Sequence, residues 1–193
     1  VGDRYKQDGW LTDAAVLKAI ALCEDKQQLD VVEAILTAIY TPWLADLTER
    51  FQHHVKTSGY PETSDIPEAV TDYKEGGEIV FFVDGLRLDV AYQLKELLVN
   101  KGIDPGLTTQ WSALPSVTAT AKAAVSPIYS LLTGLETDKD FEPSLKDGRT
   151  LSYDRFKRTL IKEGWQYLGD DETGDPSGNA WVACGDIDKE GHK

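Results

Sequence analysis

The hydrophobic pattern changes period at residue 84. Before it, Ile79-Val-Phe-Phe-Val83 is an unbroken run of five apolar residues rich in β-branched and aromatic types. Such a run suits a strand buried on both faces, as in the middle of a parallel sheet. After it, Leu86, Val90, Ala91, Leu94, Leu97 and Leu98 recur at helical spacing as far as Asn100-Lys101-Gly102, which predicts an amphipathic helix over 86–101. Asp84 therefore falls at the carboxyl edge of a strand, where ligands bind in open α/β sheets. Gly85 leaves room beside it for a metal or a phosphate. Taken alone, Asp84 reads first as the N-cap of the helix.

Upstream, the period is helical throughout. A helix over 9–23, capped by Thr12 or Asp13, offers Ala15, Leu17, Ile20 and Leu22 for packing. A second pattern from Leu29 to Tyr40 leads to Thr41-Pro42, which reads as the cap and first turn of a third helix with the stripe Trp43, Leu47, Phe51, Val55. His54 borders that stripe and His53 points elsewhere, which is poor placement for a metal pair. Residues 1–58 are thus expected to form a helical segment, and the prolines, glycines and acids of 59–77 a linker.

Downstream, Leu107-Thr-Thr-Gln-Trp-Ser-Ala-Leu114 reads as a second strand, parallel to the first across a βαβ unit. Pro115 stops it, and Ser116, Thr118 and Thr120 open a small-residue helix over 119–124. Residues 134–150 read as an exposed charged excursion, 152–164 as a helix capped by Ser152, and Ala180-Trp-Val-Ala-Cys184 as a last strand. The expected class is α/β, with a mostly parallel sheet flanked by helices over 78–193, preceded by the helical segment.

Composition narrows the classes of function. A formal charge of −13 argues against nonspecific nucleic-acid binding over the whole surface, which needs a basic face. It leaves room for a substrate phosphate held by cations, which reverse the local sign. No 18-residue apolar stretch and no signal-peptide pattern is present, so neither membrane nor export is expected. The 2 cysteines, Cys23 and Cys184, read as buried free thiols of a cytoplasmic protein. The first residue is Val1, which suggests a processed or excised piece.

Three strand ends carry residues able to do chemistry: Asp84, the Thr118 group, and Asp188 with His192. Asp188-Lys-Glu-Gly-His192 places a carboxylate and an imidazole where both can reach one ion, a mixed donor set that zinc accepts. Read alone, it is also an ordinary acidic loop. Thr118 is a poor nucleophile in water and a competent one beside a divalent cation. Its plain alternative is a helix cap, and Ser116 and Thr120 compete for either role.

Val83-Asp-Gly-Leu-Arg-Leu-Asp89, Leu114-Pro-Ser-Val-Thr118 and Asp188-Lys-Glu-Gly-His192 resemble, in order, the first three signatures of the alkaline phosphatase superfamily. Their wording is most similar to the PglZ domain of bacterial phage-defence systems such as BREX and phage growth limitation, over about residues 76–193. The resemblance implies an incomplete alkaline-phosphatase-like fold and two divalent metal ions, zinc in the intact protein. Asp84 and Thr118 would be ligands of one ion, with Thr118 the nucleophile, and Asp188 and His192 ligands of the other. Arg87 would orient a phosphate or, equally, pair with Asp89 on the surface. The family completes its site with a later Asp-His pair and a further His, and the chain ends at Lys193. The expectation is a fragment holding half an active site, inactive in isolation. Many relatives carry a small residue and glycine where this chain has Ser126-Pro127, so the helix after Thr118 is expected to end differently.

The function implied is a metal-dependent phosphatase or phosphodiesterase acting on a phosphate ester of DNA, nucleotide or protein, alongside other subunits of a defence complex. The alternative keeps the fold without chemistry, as a scaffold or regulatory component of that complex. A signalling output domain would need a receiver domain upstream, and residues 1–58 lack its strand and helix alternation.

Overall fold

Where the sequence pattern predicts three helices before residue 59, the described chain is helical over two continuous stretches, 2–21 and 26–58. The computed structural model describes residues 2–59, 77–112, 116–133, 143–169, 172–185 and 190–191. The chain divides into two units, Val1–Pro61 with Arg87–Thr109, and Glu62–Leu86 with Gln110–Lys193.

In the first unit, α1 (Gly2–Arg4), a π-helical turn (Tyr5–Gly9) and α2 (Trp10–Ala21) follow one another without a break. Thr12 and Asp13 therefore cap nothing. Asp13 is only 7% exposed and accepts hydrogen bonds from the hydroxyls of Tyr5 and Tyr40, the latter at 2.8 Å. Two phenol donors satisfy this carboxylate inside the fold, so a tertiary network overrides the local preference for a cap.

Helix α3 (Lys26–Ser58) runs through the expected break, with Pro42 inside it and Asp25 as its N-cap, accepting from the Gln28 amide at 2.8 Å. An internal proline costs a helix about 3 kcal/mol. Against that cost, Leu29, Val32, Leu36, Tyr40, Trp43, Leu47, Phe51 and Val55 form one half-buried stripe that stays in phase across the proline. Ending the helix at Tyr40 would split that face. His53 and His54 are both exposed.

Helix α4 (Leu88–Asn100) belongs to the first unit, where Trp10 stacks on Tyr92 with ring centroids 4.0 Å apart. Val90, Ala91 and Leu98 of its predicted stripe are half-buried, whereas Leu94 and Leu97 are exposed.

The second unit is mixed α/β. Strand β1 (Ile79–Val83) is followed by α5 (Thr118–Ala124), the antiparallel pair β2 (Leu132–Thr133) and β3 (Ser144–Leu145), α6 (Tyr153–Lys162), β4 (Gln166–Leu168) and β5 (Ala180–Cys184). The sheet order is β1-β5-β4, and both pairings are parallel. The partner of β1 is thus β5, in the register Ile79↔Ala180 to Val83↔Cys184. The expected strand at 107–114 is absent over its described part, 107–112. That stretch offers only Leu107 and Trp111 as large apolar side chains, too few to fill a buried strand, whereas Ala180–Cys184 is apolar throughout.

The residues of β1 alternate in burial. Val80 and Phe82 pack against the core, while Ile79 and Phe81 are 55% and 62% exposed. The core gathers Ala123, Ile128, Leu145, Phe156, Leu160 and Trp181, with Trp181 stacked on Phe82 and edge-on to Phe156. Ser152 caps α6 by accepting from the Arg155 amide. Pro143 and Leu145 are buried, so the end of the supposed excursion packs inside. Helix α5 stops at Ala124, and the buried Ser126 donates its hydroxyl to the Ala123 carbonyl at 2.8 Å. Cys23 and Cys184 are free and half-buried. Among the described residues no helix is long and apolar enough to cross a membrane.

Candidate active site

The site begins where β1 runs out of partners. The Asp84 amide still donates to the Cys184 carbonyl at 2.9 Å, and the Leu86 amide then donates to the Val83 carbonyl at 3.3 Å. The ladder thus gives way to a tight turn. Gly85 takes φ +75° in that turn, a left-handed conformation that glycine adopts without a Cβ clash. Helix α4 starts only at Leu88, with Arg87 in its N-cap position, so the Asp84 carboxylate caps nothing.

Asp84 instead accepts a hydrogen bond from Thr118, Oγ1 to Oδ2 at 2.8 Å. Thr118 is the first residue of α5, and Val117 holds the N-cap position. Of the neighbouring hydroxyls, Thr120 is 1% exposed and donates back to the Val117 carbonyl at 3.0 Å. It faces inward, whereas Ser116 and Thr118 open onto a cleft of about 580 Å³, lined also by Phe82, Val83, Asp84, Gly85, Leu86, Val117 and Ala121. That volume falls in the range of small-molecule sites.

Asp188 and His192 lie outside the described residues. The strand that precedes them, β5, ends at Cys184 opposite Val83 and parallel to it, so Gly185 leaves the sheet at the same edge as Asp84. Arg87 is engaged within the first unit. Its Nε lies 3.0 Å from Asp89 Oδ1 and its Nη2 3.6 Å from Asp13 Oδ2. Asp89 is fully buried, and among the described residues its Oδ2 has no hydrogen-bond partner, while the Arg87 side chain is 48% exposed, so the pair joins a surface guanidinium to a buried carboxylate.

One residue that the sequence pattern passes over stands beside the site. Lys122, a turn beyond Thr118 on α5, holds its Nζ 5.7 Å from the ring centre of Phe82, 5.8 Å from that of Tyr153 and 5.5 Å from that of Phe156. Burial pushes its pKa below the usual lysine value, against the pull of Asp84. The available signal was a single charged residue within Thr-Ala-Thr-Ala-Lys-Ala-Ala124.

Asp84 and Thr118 present hard oxygen donors side by side on one open cleft, a donor pair that fits a divalent cation. Among the described residues no group of three or more His, Cys, Asp or Glu side chains gathers to hold a metal. Comparison of the chain with protein-family models, with curated proteins and with solved structures finds no match in any of the three.

Proposed function

We propose that the second unit is part of an alkaline-phosphatase-like domain of the PglZ type, and that it serves a metal-dependent phosphatase or phosphodiesterase in a phage-defence assembly. The observation that carries this reading is the Thr118 to Asp84 hydrogen bond, 2.8 Å long. It joins a hydroxyl and a carboxylate that the resemblance pairs, at the mouth of a cleft large enough for a phosphate ester.

Thr118 Oγ1 attacks phosphorus in line. The oxygen–phosphorus bond forms as the bond to the leaving oxygen breaks; Thr118 gives up its hydroxyl proton to solvent, and the departing alkoxide takes one up from solvent to leave as the alcohol. Water then hydrolyses the phosphothreonine and restores the hydroxyl. Asp84 with Thr118 would hold one divalent ion, and Asp188 with His192 a second. When bound, such ions, zinc by their mixed donor set, lower the hydroxyl's hold on its proton and neutralise charge on the phosphoryl oxygens.

The test compares wild type and Thr118→Ala in the natural polypeptide that contains these residues, with zinc supplied and a generic phosphodiester or monoester as substrate. Hydrolysis that falls to background in the variant supports the reading, and unchanged hydrolysis overturns it. A folded wild type that hydrolyses neither substrate favours the scaffold alternative.

A further inference from the structure

An ammonium group has three N–H donors to satisfy. The half-buried Lys122 gives its head group to three aromatic faces, those of Phe82, Tyr153 and Phe156, all within 5.8 Å. Each face attracts the cation, and none replaces a hydrogen-bond acceptor. Among the described residues Lys122 Nζ has neither a hydrogen bond nor an ion pair, and the charge that acts on it is that of Asp84. The rings thus hold a partly desolvated cation in place with its donors unspent.

Its position is set by helix geometry. Residues four apart share a helix face, so Lys122 lies one turn from Thr118 on the same side of α5, beside the residues that line the cleft and not among them. Phe82, one of its three rings, and Ala121, its neighbour in sequence, both line the cleft that Thr118 opens onto. Arg87, the cation that the sequence pattern puts forward for phosphate, is engaged with Asp89 and Asp13.

We propose that Lys122 is the phosphoryl-binding cation of this site, its ammonium donating to the non-bridging oxygens of the group presented to Thr118. The proposal rests on the reading of Thr118 as the nucleophile and names the part of the substrate that is read beside it: a tetrahedral phosphoryl oxyanion. The aromatic floor keeps the head group from drifting into solvent while leaving its donors for the ligand.

The experiment titrates inorganic phosphate into the chain in metal-free buffer, so that no ion stands in for the lysine, and follows the backbone amide resonances of residues 116–122. Wild type is compared with Lys122→Met, Lys122→Gln, Lys122→Arg and Thr118→Ala. Affinity is scored on the variants that keep the wild-type near-ultraviolet circular dichroism. A charged hydrogen bond lost to Met or Gln weakens binding about ten- to a hundred-fold, while Arg and the Thr118→Ala variant keep most of it. Wild-type affinity in Met or Gln, or no saturable phosphate binding by wild type, overturns the proposal. Failure of the nucleophile reading appears separately, as hydrolysis that persists in Thr118→Ala, so either claim can fall without the other.

Discussion

Thr118 donates its hydroxyl to Asp84 across a sequence separation of 34 residues, at 2.8 Å. Neither side chain serves its helix. The cap positions beside them belong to Val117 and Arg87, and neither of those caps through its side chain. If the pair serves chemistry, as proposed above, replacing either side chain should cost activity more than stability.

That distinction is measurable. Asp84→Asn retains an acceptor for Thr118, and the pair it perturbs is exposed, so it should shift the unfolding free energy by no more than about 1 kcal/mol while abolishing hydrolysis. Urea denaturation followed by tryptophan fluorescence gives the first quantity. A loss as large as that of a core truncation would make Asp84 a structural residue.

Arg87 should behave in the opposite way. It compensates Asp89, which is fully buried, and Asp13, whose side chain is 9% exposed. Removing a partner from a fully buried pair costs about 3–5 kcal/mol. Because the Arg87 side chain is itself 48% exposed, Arg87→Met should cost the first unit about 2–3 kcal/mol, below that range. Hydrolysis per folded molecule and phosphate affinity should stay at wild-type levels. A selective loss of phosphate affinity with stability intact would return Arg87 to the site.

The same cluster sets an alkaline limit. Burial first, then the hydrogen bond to Asp13, raises the phenol pKa of Tyr5 and of Tyr40 above the usual value. A raised folded-state pKa gives a contribution that is complete below the unfolded pKa of about 10 and is lost as pH climbs through the folded value. Denaturation midpoints of the first unit should therefore fall as pH rises above about 10, and the Tyr5→Phe, Tyr40→Phe double variant should fall less steeply. Identical slopes for the two proteins would contradict this.

Pro42 offers a test of the uninterrupted α3. Inside a helix, proline removes a backbone hydrogen bond, so Pro42→Ala should stabilise the first unit by about 2–3 kcal/mol and raise helical circular dichroism slightly. If the chain broke at Thr41 as the local signal suggests, proline would sit in a first turn and the exchange would gain nothing.

These residues also show how far the sequence could be read. Strands 79–83 and 180–184 and the Ser152-capped helix were legible because each is a dense local pattern with its own boundaries. The stripe Trp43, Leu47, Phe51, Val55 was legible for the same reason, while its continuation through Pro42 was not, since the local breaker is visible and the in-phase apolar face upstream outweighs it only when the elements are packed. The 107–112 segment has strand-forming residue types without the apolar mass that pairing needs, and the better partner of β1 lies about a hundred residues away, beyond any local window. Asp84 and Thr118, paired in the sequence reading, do meet, but the separation of Thr118 from Thr120 needed the packed helix, which turns one hydroxyl inward and the other to the cleft. Lys122 escaped notice because its meaning comes from three rings on two other elements and a loop-proximal helix start.

A phosphoryl group taken by Thr118 can be caught there. The natural polypeptide containing these residues, supplied with zinc and a phosphomonoester, is acid-quenched during turnover, and the peptide spanning residues 116–122 is examined by mass spectrometry. One added phosphoryl group is expected on Thr118 in wild type and none in Asp84→Asn. Turnover that proceeds with Thr118 unmodified at every quench time, or that survives in Thr118→Ala, would contradict the proposed role of Thr118.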